Sequence, residues 1–156
     1  MRKAVWMAVA AMAAFVACSE KEYPFEAQSV EAFAYGLGEP GLIEVQAVAM
    51  TRGYELREEN GKFRGSLEYA FTIITPAGEK IELGGGAYDE AKSKPIAETR
   101  FEAMTEIEDA EPGEYVVVFA ATDNHTDAAI EERTTFLVEA TDATDGPDSI
   151  ETTPAE

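Results

Sequence analysis

From Ser29 onward, apolar and polar residues alternate in short runs broken by turn residues every ten or so positions. This is the period-2 pattern of half-buried strands. The first run is Ser29 to Tyr35, followed by a loop over Gly36-Leu37-Gly38-Glu39-Pro40-Gly41. Leu42 to Thr51 comes next, with Ile43, Val45, Ala47 and Ala49 on one face; Gly53 is expected to be a bulge, and Tyr54 to Arg57 continues the strand. Asn60-Gly61 predicts a two-residue type I′ hairpin turn, because both central positions need positive φ. Gly65 to Thr75 then returns with Leu67, Tyr69, Phe71 and Ile73 inward, Pro76-Ala77-Gly78 is a turn, and Lys80 to Leu83 is a short strand. Gly84-Gly85-Gly86 is expected to open a flexible loop running to about Pro95, with one helical turn between Tyr88 and Ser93. Ala97 to Ile107 places Phe101, Ala103 and Ile107 on a shared face. After a turn at Asp109 to Gly113, Tyr115 to Thr122 is apolar on both faces, as a central strand is. Asp123 to Asp127 is a polar corner, and Ala129 to Glu139 closes the domain with Phe136 and Val138 inward.

Seven or eight strands over residues 28–139, with no convincing helix, predict an all-β fold, a single antiparallel β-sandwich. A small closed barrel is the structural rival. The flanks have different compositions. Residues 140–156 hold five acids and no base, too little apolar surface to offset chain ordering, so a disordered acidic tail is expected.

At the other end, Arg2 and Lys3 lead an apolar run that closes in Phe15-Val16-Ala17-Cys18. A charged start, a short apolar stretch and small residues before a cut site form the layout of a secretory signal. The run, about 13 residues, is shorter than the roughly 20 that a membrane-spanning helix needs. With its single cysteine at the cut site, the segment resembles the signal peptide of a bacterial lipoprotein. The resemblance implies cleavage after residue 17, acylation of Cys18, and residues 18–27 as a lipidated tether. It also implies a cell-envelope location, and Ser19 favours the outer membrane over the inner one. Two or more acyl chains would hold the protein stably in a bilayer.

Within the domain, Glu111-Pro112-Gly113-Glu114-Tyr115-Val116-Val117-Val118 resembles the entry to a late strand of immunoglobulin-like and fibronectin-like domains. The resemblance implies that Pro112 and Gly113 form a tight turn and that the Tyr115 hydroxyl bonds back across it, as a tyrosine corner. It implies a fold and no activity. The antibody-type disulfide has no counterpart here, and the sole tryptophan, Trp6, lies in the signal.

Charge narrows the partners. The chain carries a net −19; removing Arg2 and Lys3 with the signal takes away two positive charges and leaves −21. Such a surface repels nucleic acid and anionic headgroups, so no nucleic-acid partner is expected. With one cysteine committed to lipid, the fold must stand without a disulfide.

Candidate chemistry inside the domain is sparse. His125 is the only histidine and has no thiol or second histidine as a partner for zinc or catalysis. The tip Asp123-Asn124-His125-Thr126-Asp127 and the tail segment Asp142-Ala143-Thr144-Asp145-Gly146 offer oxygens for calcium without a standard loop spacing. Gly84-Gly85-Gly86 lacks the following helix and nearby lysine of a phosphate cradle. Lys92, Lys94 and Arg100 form the densest basic patch and a candidate contact site. Tyr54, Tyr69 and Tyr88 are aromatics on which a sugar ring could stack.

These features point to a non-catalytic binding or scaffolding module. It would be moored to the membrane by the lipid on Cys18, with no cofactor besides that lipid, and would act on another envelope protein through strand edges or end loops. The alternative is a surface module for glycans or small ligands, with calcium as a possible aid.

Overall fold

The computed structural model describes residues 23–139. The signal, Cys18, most of the tether and the acidic tail with Asp142 to Gly146 lie outside the described residues. Eight strands follow in order, with no helix among the described residues: β1 (Glu26–Gly36), β2 (Ile43–Arg52), β3 (Arg57–Glu59), β4 (Lys62–Ile74), β5 (Lys80–Lys92), β6 (Glu98–Ile107), β7 (Gly113–Asp123) and β8 (Ala129–Val138). All pairings are antiparallel. One sheet runs β1-β2-β6; in the other, β4 pairs with β5 on one edge and with β7 on the opposite edge, β8 lies outside β7, and β3 pairs with the start of β4. β1 begins at Glu26, so the last tether residues already belong to the first sheet.

The core lies between the sheets. β2 contributes Ile43, Val45, Ala47 and Ala49, the face its alternation predicts, and β6 adds Phe101 and Ile107. From the other sheet come Leu67, Phe71 and Ile73 of β4 and Tyr115, Val117, Phe119 and Ala121 of β7. An aromatic chain runs through it: Tyr69 stacks on Phe101 at 4.1 Å between centroids, Phe71 meets Phe119 at 4.9 Å, and Tyr88 meets Phe101 edge-on at 5.9 Å.

The turns follow local chemistry. Asn60 and Gly61 have φ of 53° and 73° and join β3 to β4 in two residues, with Glu59 opposite Lys62, as a type I′ hairpin requires. At the opposite end, the Tyr115 hydroxyl donates to the Glu111 carbonyl at 3.0 Å, and its ring stacks on Phe136 at 5.1 Å. Gly113 there has φ of 145°, and a Cβ would come within 2.8 Å of Pro76, so this turn depends on a glycine. Burial pushes the Tyr115 phenol above its ordinary range.

Two expectations are overturned. Gly53 is no bulge and residues 54–56 continue no strand: β2 stops at Arg52, and the chain crosses to the other sheet, where β3 starts at Arg57. Gly84-Gly85-Gly86 opens no loop, and no helical turn follows; β5 runs unbroken to Lys92 and pairs with β4 along its whole length. The register slips between Phe71 and Thr72, so that Phe71 faces Gly84 while Thr72 faces Glu82. Leu83 is the extra residue of a β-bulge. A Cβ on Gly84 would lie 3.0 Å from that of Ala103 across the sandwich, and one on Gly85 2.7 Å from the Tyr69 carbonyl oxygen. The glycines let backbone and facing sheet approach where the bulge crowds them.

Candidate functional site

At the end of the sandwich where β1 starts and β2 stops, four connections converge. Asp123, the last residue of β7, organises them. It is buried, and its carboxylate accepts the backbone N–H of Glu55 at 2.7 Å and that of His125 at 2.9 Å. Its carbonyl oxygen accepts the N–H of Asp127 at 2.8 Å, closing a turn in which Asp127 sits at φ 60°. Asn124 bonds Ser66 through both backbone and side chain, at 3.0 and 3.1 Å. Arg57 donates to the His125 carbonyl at 2.9 Å, and His125 Nε2 lies 3.3 Å from the Arg64 carbonyl oxygen. The Asp-Asn-His-Thr-Asp tip is therefore clamped onto β3 and β4. Asp123 acts as a turn-fixing carboxylate, with both oxygens engaged by amides, and not as a solvent-facing ligand. Among the described residues, no three His, Cys, Asp or Glu side chains gather as a metal site.

Beside this clamp lies an open groove of about 930 Å³, bordered by Tyr23, Phe25, Leu56 and Ile96 with Tyr54 and Asp123 at its base. Tyr54 is buried rather than displayed. Its ring packs over Gly65: a Cβ there would sit 3.0 Å from Tyr54 Cδ2 and closer still to Cε2. The Tyr54 hydroxyl donates to the Glu98 carbonyl at 3.3 Å and stands 3.5 Å from that of Tyr88. Burial first, then the Tyr88 hydroxyl and the neighbouring charges of Glu90 and Glu98, push the Tyr54 phenol far above its ordinary range. Lys92 donates to Tyr54 Oη at 3.4 Å and to the Glu98 carbonyl at 2.8 Å.

These contacts reassign the candidates from sequence. Tyr54, Tyr69 and Tyr88 form part of the internal aromatic network, Tyr54 buried and the other two half-buried. The basic patch is divided: Lys92 ties β5 to β6, Arg100 pairs with Glu102 at 2.7 Å, and Lys94 stays exposed. Arg64 makes a two-pronged contact with Asp89, at 2.5 and 2.7 Å, which holds the Asp89 carboxyl below its usual range.

A second feature is on the outer face of β1-β2-β6, and sequence reasoning missed it. Phe33, Gln46 and Met104 align across the three strands. Phe33 is 43% exposed, Met104 59% and the next aromatic on that face, Tyr35, 51%. The flanking rows are Glu31-Val48-Glu102 and Tyr35-Glu44-Glu106. An apolar centre framed by four carboxylates results. The clue in the sequence was that Phe33 and Tyr35 share their strand face with Glu31.

No family model matches the chain, and no curated protein matches it. Among solved structures, it is similar to a family 123 glycoside hydrolase from Clostridium perfringens, described as acting in glycolipid glycan hydrolysis. The two are 14% identical, with 64% of this chain and 21% of the hydrolase covered and a TM-score of 0.36. A protein from Archaeoglobus fulgidus is 13% identical over 73% of this chain and 98% of its own, with a TM-score of 0.32. This chain spans about a fifth of the hydrolase. Likeness at this level assigns neither fold family nor activity.

Proposed function

We propose that this chain is a non-catalytic, lipid-anchored protein of the bacterial cell envelope, held at the outer membrane through Cys18. Its immunoglobulin-like domain binds or scaffolds another envelope protein. The fold reading is supported by strand order. β1-β2-β6 corresponds to strands A, B and E of an immunoglobulin-like sandwich, β4-β7-β8 to C, F and G, and β5 to the strand that variable-type domains add beside C. The hydrogen bond from Tyr115 to Glu111 supports it further. The anchor reading rests on the Phe15-Val16-Ala17-Cys18 pattern.

The observation that carries the binding role is the exposed Phe33-Gln46-Met104 row between rows of glutamates. Apolar side chains on a solvated sheet face are costly to expose together, and patches of this kind mark contact surfaces. The frame selects a partner with an apolar centre and a rim of lysine or arginine, by charge complementarity. The test is capture from native envelope extract with the wild-type domain and with a Phe33→Lys/Met104→Lys variant. A partner retained by the first and lost by the second, at unchanged thermal midpoint, is expected; equal retention refutes the assignment of this face. Palmitate labelling in cells should disappear in Cys18→Ala, and persistent labelling refutes the anchor.

A further inference from the structure

Sulfur is placed unevenly in this chain. Beyond Cys18, its only sulfur atoms belong to Met50 and Met104. Both lie on the outer face of β1-β2-β6. Met50 stands between Ser29 and Arg100, and Met104 lies two outward rows along, in the row of Phe33 and Gln46. Neither belongs to the core or to the residues packed against it, which are aliphatic and aromatic throughout. Met104, on the edge strand β6, is 59% exposed, whereas Met50, on the central strand, is half-buried.

The charges around Met104 are acidic. Glu102 and Glu106 flank it along β6, and Glu31 and Glu44 complete the adjoining rows. The cations of this face, Arg52 and Arg100, are paired with Glu26 and Glu102. With a net charge of −19 over the whole chain, such a surface repels anionic oxidants. An uncharged peroxide meets no such barrier.

We infer that Met104 is an oxidation site that governs partner binding at this face, with a neutral peroxide as the oxidant. The inference rests on the binding role proposed above. In the reaction the thioether sulfur attacks one peroxide oxygen and the O–O bond breaks. The departing hydroxide takes the proton of the transferred hydroxyl, leaving a sulfoxide and water. Sulfur loses two electrons and the peroxide gains them. The product is polar and sits at the centre of the apolar patch. A partner with an apolar centre must strip water from the new oxygen without supplying a donor, so binding weakens. The fold is spared, because neither methionine fills the core. The change is also reversible, since sulfoxide reductases restore the thioether.

The test uses leucine, which has similar volume and no sulfur. The protein and its Met104→Leu and Met50→Leu variants are treated with dilute hydrogen peroxide and then freed of it. Peptide mass spectrometry follows oxygen gain at each methionine. Nile red, a neutral dye that brightens on apolar surfaces, reads the patch without any partner, and capture from native envelope extract reads the partner. Met104 is expected to oxidise several times faster than Met50, at unchanged thermal midpoint. Dye emission and partner retention should both fall in the oxidised wild type, retention by about tenfold. Both should survive the same treatment in Met104→Leu and fall in Met50→Leu as in the wild type, and methionine sulfoxide reductase should restore them. Equal oxidation of the two methionines, emission that persists once Met104 carries its oxygen, or an equal fall in Met104→Leu overturns the inference. Retention that Phe33→Lys/Met104→Lys leaves unchanged counts instead against the binding role of the face.

Discussion

Gly65 offers the sharpest test of how the groove end is built, because packing and backbone entropy predict opposite signs there. Gly65 is buried in β4 with no positive φ, so alanine fits its backbone. On backbone entropy alone, Gly65→Ala would stabilise the protein by about 0.4–1 kcal/mol. The structure predicts the reverse, since the new methyl would sit 3.0 Å from Tyr54 Cδ2 and nearer to Cε2. The ring must move, and with it the contacts of its hydroxyl with Glu98 and Lys92. Overpacking of this kind costs about 1–3 kcal/mol, so a net loss of about 1–2 kcal/mol is expected. Gly86→Ala is the control: it lies in β5, and its nearest neighbour would be the Tyr69 ring at 3.8 Å, ordinary contact. That variant should gain about 0.5 kcal/mol. Urea denaturation gives both values, and thermal midpoints should move by about 3–5 °C per kcal/mol in a domain of this size. Adding Tyr54→Ala to Gly65→Ala should remove the clash and yield a coupling energy of about 1 kcal/mol or more. If Gly65→Ala stabilises as Gly86→Ala does, Tyr54 does not pack over Gly65, and the account of this end is wrong.

Asp123→Ala should cost about 3 kcal/mol, because it strips two amides of a charged acceptor; faster hydrogen exchange at Glu55 and His125 is the specific readout, and unchanged stability would remove Asp123 from its organising role. Alkaline stability tests Tyr54. Its phenol is raised in the folded state, so its stabilising contribution is complete below the ordinary tyrosine value of about 10. Above that pH the unfolded chain loses the proton while the folded chain keeps it. Stability therefore falls by about 1.4 kcal/mol per pH unit until the folded phenol ionises. Tyr54→Phe should flatten this decline, leaving the smaller part due to Tyr115, whose phenol is raised in the same direction; an identical pH profile would contradict the burial.

Most of the architecture was legible because the central strands β2, β4 and β7 bury alternate positions. β2 shows this best: Ile43, Val45, Ala47 and Ala49 face the core in strict alternation, and its register with β1 and β6 follows. The turn at Asn60-Gly61 was legible for a local reason, since few residue pairs tolerate two successive positive φ angles. β5 was lost because its alternation changes phase. Ile81 and Leu83 face inward at odd positions, the bulge adds a residue, and inward positions beyond it are even, at Gly84, Gly86 and Tyr88. A period-2 reading sees two weak fragments joined by glycines, where the chain makes one long strand.

β1 shows a deeper limit, and the functional reading turns on it. Its alternation sets Val30, Ala32 and Ala34 against Glu31, Phe33 and Tyr35. Apolar bulk alone would turn the two aromatics inward. The structure turns the small residues inward, because β1 lies at the sheet edge and its inner face packs close to β8. There Val30, Ala32 and Ala34 pack against the core. Glu31 then shares the solvent face with Phe33 at no desolvation cost, whereas the opposite choice would bury a carboxylate. The exposed aromatics are thus a consequence of core geometry that local propensity cannot report. What core geometry does not dictate is Met104, two strands across on the same row as Phe33 and free to be polar. The choice of methionine there, with acids on both neighbouring outward rows, is the part of the patch that packing leaves unexplained and that the proposed binding role would account for.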